Sequence, residues 1–350
     1  MDTIRLTQFS SAAGCGCKMA PAALETILQN SRTSFQSKEL LVGNESSDDA
    51  AVYDWGDGTG LISTTDFFTP IVDDAFLFGK IAAANAISDV YAMGGKPLLA
   101  LAILAWPLEK LGPELAQAVM AGARETCREA GIPLAGGHSI DSTEPVFGLA
   151  VSGRVTLTDL KKNNTAQAGD YLLLTKPLGV GILSTAEKRG VIKPEHIDEF
   201  HRQLGMLNSV GYELGKIPGV HALTDVTGFG LMGHLIEMAE GSGLGAEIYY
   251  SKVPILSSIR AYLSERIVPD ATYRNWNAYQ KKVAFGPGVN VMEAFTVLPD
   301  PQTNGGLLIA VSADAMEPVL ALLQSAGIHC CNEPIGKIIA AGEKCIQVLV

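Results

Sequence analysis

The spacing of its strand-like segments constrains the fold of this chain more than any other feature. Segments 51–55 and 60–65 have the residue pattern of strands, and the residues between them are too few for a helix. Other neighbouring strand-like segments also lack a helix between them. A doubly wound parallel sheet needs a helix at each crossover, so the pattern predicts an α+β fold instead.

Further elements follow from apolar periodicity and from glycines at helix ends. The length of 350 residues and a polar stretch at 156–169 predict two domains with a junction there. Residues 1–18 lack an apolar stripe that would hold them in place, so they are predicted to form a mobile arm, followed by a helix that begins near Pro21. We predict helices at 78–92, 114–130, 180–190, 194–214, 314–326 and after Gly230, and further strands at 98–106, 147–155, 171–175, 246–250 and 306–311.

Composition excludes several classes of protein. Hydrophobic residues make up 47% of the chain and charged residues 18%, as in globular proteins. The formal net charge is −11 and no basic run exceeds Lys161-Lys162, so no nucleic-acid partner is expected. The longest apolar run, residues 97–108, is too short for a membrane span, which needs about 20 residues. Because no signal peptide and no disulfide framework are visible, we expect a cytoplasmic protein.

The usual nucleotide-binding motifs are missing. Val90 occupies the position of the first glycine that a Walker loop at Gly95-Lys96 would need, and no glycine-rich dinucleotide turn follows a strand. An acidic protein that binds a nucleotide without these motifs must hold it largely through cations. Magnesium prefers oxygen ligands and usually takes one or two carboxylates together with phosphate oxygens. The candidate carboxylates lie beside glycines or small polar residues: Asp48, Asp49, Asp66, Asp89 and Asp225.

Most of these aspartates also have a purely structural interpretation. Asp48 and Asp49 are compatible with a turn, and Asp66 with a cap after its strand. Asp89 is different, because it lies in the last turn of its predicted helix, where the helix dipole disfavours a carboxylate by about 0.3–1 kcal/mol. Asn85 lies one turn earlier on the same face, and a cation there would relieve the conflict. We therefore predict that Asp89 is a ligand.

Two short motifs offer other groups to a ligand. Gly136-Gly137-His138-Ser139 is predicted to be a turn, either an ordinary one or one whose backbone N–H groups bind phosphate. Gly14-Cys15-Gly16-Cys17-Lys18 places an ammonium group near cysteines, and such a charge favours a reactive thiolate. The alternatives are an incidental cysteine pair or half of a zinc site, although no second pair with suitable spacing follows.

Taken together and in this order, the motifs resemble those of the selenophosphate synthetase family. The segments that carry the resemblance are 14–18, 48–52, 64–68, 85–89, 93–95, 136–140, 224–230 and 300–303. The aspartate and glycine motifs alone indicate the wider aminoimidazole ribonucleotide synthetase-like superfamily, and the cysteine-lysine arm narrows the match. The resemblance implies a two-domain α+β fold whose N-terminal sheets pair across a homodimer. It implies a flexible catalytic arm and first helix at 1–47, an ATP-binding and dimerisation domain at 48–157, and a C-terminal α+β domain at 168–350.

The resemblance also implies a reaction and roles for individual residues. ATP, selenide and water become selenophosphate, AMP and phosphate, with Mg²⁺ as cofactor, ATP as co-substrate and a selenium-delivery protein as a further partner. The product supplies selenium for selenocysteine and selenouridine. By motif, Cys15 and Lys18 are catalytic. The metal ligands are Asp49, Asp89 and Asp225, and the ATP-binding positions are Lys18, Ser46, Ser47, Asp48, Asp66, Asp89, Gly137, His138 and Ser139.

One position departs from the family pattern, and two other functions remain as alternatives. Relatives usually have serine after Asp-Pro-Gln-Thr, where this chain has Asn304, so the contact of that side chain is open. Another ATP-dependent enzyme of the superfamily, such as a purine-pathway ligase or a small-molecule kinase, would need no reactive cysteine. A thiol-based selenium or metal carrier would consume no ATP and would leave the aspartates without a role.

Overall fold

A computed structural model gives the structure of residues 4–11, 13–19, 23, 26–27, 37–43 and 48–350. Most of the helix predicted to begin near Pro21 lies outside the described residues. Ser46 and Ser47 also lie outside them. No helix in the described part of the chain is long and apolar enough to cross a membrane.

The N-terminal half forms one sheet that is covered by helices on one face. Its strands, in the spatial order β1-β2-β3-β6-β4-β5, are antiparallel to their neighbours except for the parallel pair of β4 and β5. Helix α1 packs on β3, β4 and β6, and helix α2 packs beside α1. The elements are β1 (Leu40–Val42), β2 (Ala51–Asp54), β3 (Thr59–Phe68), α1 (Ala75–Ala92), β4 (Lys96–Trp106), α2 (Pro113–Glu129), β5 (Leu134–Asp141) and β6 (Val146–Thr156).

The C-terminal half forms a second mixed sheet in the order β10-β13-β9-β12-β7-β11-β8. Antiparallel neighbours dominate both sheets, which confirms the predicted α+β fold; the domain boundaries themselves stay a prediction. The elements are β7 (Tyr171–Leu174), α3 (Val180–Lys188), α4 (Pro194–Gly205), α5 (Val210–Gly215), β8 (Val220–Asp225), α6 (Gly230–Gly241), β9 (Leu244–Tyr249), α7 (Ile259–Ser264), α8 (Asp270–Tyr279), β10 (Val283–Phe285), α9 (Val291–Val297), β11 (Leu307–Val311), α10 (Met316–Ser325), β12 (Gly336–Ala340) and β13 (Ile346–Leu349).

Helix α1 joins the two halves. Its sequence is apolar on nearly every side, and such a helix is stable only when it is surrounded by protein. One side packs on β3 and β6, and the other packs on β8, α4 and α5 of the C-terminal half. The polar residues Asn85, Ser88 and Asp89 are therefore buried where the halves meet.

Two local predictions were wrong, and one strand that bounds the site was missed. The Gly-Gly-His-Ser segment is part of strand β5 and not a turn, because Gly137 lies so close to β4 that a Cβ would be 2.1 Å from the Ala102 carbonyl oxygen. The helix predicted at 194–214 is broken between α4 and α5, where Met206 is extended. Strand β8 was not predicted, although it ends at the candidate ligand Asp225.

The N-terminal arm is docked against the protein, so the prediction that nothing holds it in place was wrong. Leu6 is completely buried, and Cys15 is 1% exposed. The backbone N–H of Gly14 donates to the Thr69 carbonyl (3.0 Å). Single turns of 3₁₀ helix at Leu6–Phe9 and Cys15–Cys17 bury these two side chains without the long apolar stripe that the sequence lacks.

Candidate active site

Strand β3 and helix α1 place four polar side chains against one another. Alternation along β3 turns Thr64 and Asp66 towards α1, and the helical repeat puts Asn85 and Asp89 on one face. The Thr64 hydroxyl donates to Asp89, and the Asn85 amide donates to Asp66. The predicted ligand Asp89 thus lies in the last turn of α1, 8% exposed.

Three buried carboxyl groups from separate elements form the electrostatic centre of the site. Burial raises the pKa of Asp49 well above its usual range, and the neighbouring charges of Asp225, Asp48 and Asp89 raise it further. Burial and the charge of Asp225 raise the pKa of Asp89 in the same way, and burial raises that of Asp225. The Thr224 hydroxyl joins the halves here by donating to Asp49 (2.8 Å). Burial also raises the pKa of Asp48 to about 6.

This carboxylate cluster, Asp49, Asp89 and Asp225, fits a hard cation. Among the residues that the structure describes, none is a hydrogen-bond partner for the buried Oδ2 atoms of Asp49 and Asp225. A cation would satisfy both atoms and reduce the repulsion between the carboxylates. Within the described ranges, no three histidine, cysteine, aspartate or glutamate side chains are arranged to hold a metal ion by themselves. Magnesium usually keeps several waters and shares phosphate oxygens, so one or two carboxylates suffice for it.

The arm brings the candidate nucleophile and a cation to the same place. The Cys15 thiol donates to the Asn85 side-chain oxygen (3.5 Å), and Lys18 Nζ lies 3.9 Å from Asp66 Oδ2. The charge of Asp66 raises the pKa of Lys18 against the effect of burial, with smaller contributions from Cys15, Asp89 and Asp225. Lys18 therefore stays protonated beside the carboxylates.

The loop at 300–304 fixes the arm from the C-terminal half. The Thr303 hydroxyl accepts from the Cys15 backbone N–H (2.9 Å). Gly14 has a φ of +51°, and a Cβ there would be 2.5 Å from that hydroxyl, so only glycine fits. The Asn304 backbone N–H donates to Asn85 (2.6 Å). One short loop thereby positions both Cys15 and the side chain that accepts its thiol hydrogen.

The structure explains the departure at Asn304. Its φ is +49°, a left-handed conformation that asparagine tolerates better than most residues. Its side-chain amide donates to the Leu204 and Met206 carbonyls (2.6 and 2.8 Å) at the end of α4. The longer side chain therefore ties the loop to α4, a contact that the sequence left open.

Lys176 is a buried lysine beneath the same loop. It is 3% exposed and donates to the Met206 and Asn304 carbonyls (2.7 and 2.9 Å). Burial lowers its pKa to about 7. An unfolded lysine has a pKa of about 10.4, so between about pH 7 and 10 the unfolded chain binds a proton that the folded chain has released.

A pH dependence of stability follows from Lys176. Because the unfolded state binds more protons in this window, the Lys176 contribution to the free energy of unfolding should rise with pH, by about 2 kcal/mol between pH 7 and 9. Lys176→Met should remove that rise. Urea titrations of both proteins at the two pH values measure it, and equal pH dependence in the two proteins would mean that Lys176 is charged in the folded state.

The predicted ATP-binding segment on β5 lies apart from the carboxylate cluster. Gly137, His138 and Ser139 are exposed on the edge strand of the N-terminal sheet. In the described part of the chain, no hydrogen bond joins them to the cluster. The structure thus brings together Cys15, Lys18, Asp49, Asp66, Asp89 and Asp225, leaves Asp48 at the border and leaves residues 137–139 outside.

Several polar residues of the site were not predicted from the sequence. Thr64, Thr224 and Thr303 each position a predicted residue, and Arg274 donates to the Gly16 carbonyl (2.7 Å). Thr64, Thr224 and Thr303 each lie inside one of the motifs that were recognised, which was the available signal. Arg274 lies in α8, outside every motif, and nothing in the sequence pointed to it.

Comparison with known proteins places this chain in a known family. Residues 47–155 match the family described as AIR synthase related protein, N-terminal domain, and residues 167–348 match its C-terminal domain counterpart. Thiamine-monophosphate kinase from Stenotrophomonas maltophilia K279a has a TM-score of 0.65 at 19% identity, over 95% of this chain and 96% of that chain. Hydrogenase maturation protein HypE in complex with ATP has a TM-score of 0.65 at 20% identity, over 98% and 94%.

The fold and these matches define an AIR synthase related protein made of two such domains. The selenide, water dikinase of Aeromonas salmonicida (strain A449) is 53% identical over 350 residues, which cover 100% of both chains. The chain belongs to the selenide, water dikinase family. The family resemblance inferred from the motifs is thereby confirmed.

Proposed function

We propose that this protein is a selenide, water dikinase that converts ATP, selenide and water into selenophosphate, AMP and phosphate. The observation that carries the proposal is the convergence of a buried cysteine and a protonated lysine on carboxylates from both halves of the chain. The full-length relative at 53% identity bears the name of this activity. The product is the selenium donor for selenocysteine and selenouridine.

Asp49, Asp89 and Asp225 are proposed to hold Mg²⁺. Two observations support this role: their raised pKa values, and the Oδ2 atoms of Asp49 and Asp225, which accept no hydrogen bond from the described residues. When bound, the metal neutralises charge on the β- and γ-phosphates. Phosphoryl transfer depends mainly on positioning and charge neutralisation, which these side chains can provide without a Walker loop.

Lys18 and Cys15 are proposed to act on the γ-phosphoryl group and on selenium. The ammonium of Lys18 binds the phosphate oxygens, and Cys15 guides selenide to the γ-phosphorus. A selenium–phosphorus bond forms while the bond from that phosphorus to the β,γ-bridging oxygen breaks, which leaves ADP. Water then attacks the β-phosphorus of that ADP, and AMP leaves. The docked arm excludes other water from the first step.

We propose that the other positions implied by the family resemblance bind ATP. Asp66 lies beside Lys18, Asp48 lies at the border of the carboxylate cluster, and Ser46 and Ser47 precede Asp48 in the chain. Gly137, His138 and Ser139 lie on an edge strand whose outer backbone groups are open to a partner. We propose that these three contact ATP near a subunit interface.

The nucleotide products test the proposed function. ATP is incubated with the protein and Mg²⁺, with and without selenide, and the nucleotides are separated by chromatography. We expect selenide-dependent AMP with little accumulated ADP. A kinase of the same superfamily would leave ADP as its final product, and a carrier protein would leave ATP intact.

A homodimer is proposed from the uncovered face of the N-terminal sheet. The register of the sheet aligns four residues from the adjacent strands β3, β6, β4 and β5: Phe67, Gly148, Ile103 and His138. They lie on the face of the sheet opposite to α1. The same face exposes large apolar side chains: Leu99 is 37%, Leu101 42%, Phe67 49% and Ile140 57% exposed. An apolar patch of this kind is typical of an interface, and a second copy of the sheet is its natural complement.

A charge on this face should separate the subunits. We expect Leu101→Asp to convert a dimer into a particle of 36.9 kDa, as measured by light scattering at micromolar concentration, because a carboxylate would be buried without a partner. Met292→Asp is the matched control, since Met292 is 74% exposed in the C-terminal half. Identical masses for wild type and Leu101→Asp would contradict the proposed interface.

We further propose a cytoplasmic location and delivery of selenium by another protein. The described cysteines Cys15, Cys127, Cys330, Cys331 and Cys345 form no disulfide bond, as suits a reducing compartment. Selenide is readily oxidised, so its direct release from a carrier protein into the site beside Cys15 would protect it.

A further inference from the structure

The first part of the arm connects the two halves of the protein at a distance from the carboxylate cluster. Arg5 Nε lies 2.6 Å from Asp73 Oδ2, in the turn before α1. The same guanidinium donates through Nη2 to the Glu187 and Lys188 carbonyls (2.7 and 3.3 Å), at the end of α3 in the C-terminal half. One arginine therefore binds both halves.

Both carboxylate oxygens of Asp73 accept hydrogen bonds from the arm. While Oδ2 binds Arg5, Oδ1 accepts from the backbone N–H of Thr7 (3.1 Å) and from its hydroxyl (2.5 Å). Leu6 and Thr7 are completely buried. Hydrogen bonds to a charged acceptor are stronger than neutral ones, so Asp73 is the main polar anchor of this segment.

The arm also donates hydrogen bonds to the carbonyl groups at the C-terminal end of α3. The last carbonyl groups of a helix have no partner within the helix, and a cation near them is favourable. Arg5 supplies that cation, and the Gln8 amide donates to the Lys188 carbonyl (2.9 Å). In return, the Lys188 ammonium donates to the Ser10 carbonyl (2.8 Å).

The length of chain between this anchor and Cys15 limits how far the catalytic loop can open. Phe9 ends the first turn and Cys15 begins the next. Six residue steps of extended chain span at most about 20 Å. While the anchor is docked, the loop 15–18 can leave the carboxylates only within that reach. Release of the anchor removes this limit, so the loop can then move farther from the carboxylates.

We propose that residues 5–8, Asp73 and the end of α3 form a latch that keeps the loop 15–18 closed. Asp73 is a positioning residue, because it acts through the arm and does not touch the reacting groups. With the latch intact, water is excluded while the γ-phosphoryl group is transferred; without it, water competes with selenide and ATP is consumed unproductively. This last consequence rests on the proposed function, whereas the latch itself does not.

Asp73→Asn tests the latch, with Asp74→Asn as the matched control. Asp74 is the next residue and caps α1 by accepting from the Leu77 backbone N–H (2.6 Å), and no hydrogen bond joins it to the described residues of the arm. In a Cys17→Ser background, iodoacetamide modification of the peptide 6–18 is followed by mass spectrometry and reports how often Cys15 becomes accessible. We expect about a tenfold faster reaction in Asp73→Asn and no change in Asp74→Asn.

The second readout is the selenophosphate formed per ATP consumed, which does not depend on how much of the protein is folded. We expect this ratio to fall in Asp73→Asn and to stay unchanged in Asp74→Asn. Arg5→Gln should reproduce both effects, and the double variant should add little to either single one. Unchanged Cys15 reactivity in both Asp73→Asn and Arg5→Gln would overturn the latch, whether or not the protein makes selenophosphate. A wild-type protein that makes no selenophosphate would contradict the proposed function. The measured reactivity of Cys15 would still decide whether the latch exists.

Discussion

Asp49→Asn, Asp89→Asn and Asp225→Asn should each lower magnesium-dependent ATP turnover by about a hundredfold or more, measured at saturating ATP and modest Mg²⁺. Each change removes one charge from a cluster that would otherwise hold the metal. The same changes relieve repulsion between buried carboxylates, whose pKa values are raised in the folded protein. We therefore expect the melting temperature without Mg²⁺ to be unchanged or higher.

The combination of lost activity and retained stability is what distinguishes a ligand from a structural residue. Asp198→Asn is the control, because Asp198 is exposed on α4. This change should leave both the ATP turnover and the melting temperature as in the wild type. Near-normal turnover in all three cluster variants would contradict the ligand assignment, and a large loss of stability would indicate that the carboxylates serve the fold.

Cys15→Ser should abolish selenophosphate formation while ATP still binds. The hard oxygen of serine would not replace the soft, polarisable sulfur that we propose guides selenide, whereas Lys18 and the carboxylates proposed to hold Mg²⁺ are unaffected. ATP affinity is measured by calorimetry, and selenophosphate by phosphorus magnetic resonance. Cys17→Ser is the matched control in the same turn and should be far milder, because Cys15 and Lys18 remain.

Hydrogen exchange tests the predicted response of the arm to ATP. Exchange across residues 4–18 is measured with and without a non-hydrolysable ATP analogue. We expect the analogue to add protection mainly at 15–18, where Lys18 would contact phosphate. The latch segment 5–8 should be protected in both states. A Cys17→Ser variant as inactive as Cys15→Ser would show that the roles within this turn are misassigned.

The sequence indicated which side chains meet in this cluster better than it indicated their surroundings. The position of Asp89 in the last turn of its helix, aligned with Asn85, could be predicted because both are local properties of one helix. The contact of Thr224 with Asp49 spans 175 residues and that of Thr303 with Cys15 spans 288, and no local pattern encodes such pairs. The docked arm was missed for the same reason, since its anchors are single side chains of distant segments.

Errors in the predicted elements also had tertiary causes. The two glycines before His138 were interpreted as a turn, yet they allow β5 to lie close against β4. The apolar pattern at 194–214 is continuous with one helix, but Met206 and Leu204 offer their carbonyls to Lys176 and Asn304, which requires the chain to leave the helix there. Packing with another part of the chain overrode local preference in both places.

The most direct test of the proposed reaction follows each phosphate of ATP separately. The protein is incubated with Mg²⁺ and selenide and with ATP labelled with ³²P in either the γ or the β position, and the products are separated under anaerobic conditions. We predict that the γ label appears in selenophosphate and the β label in inorganic phosphate, with unlabelled AMP in both reactions. A γ label that appears only in inorganic phosphate, with or without selenide, would contradict the proposed function.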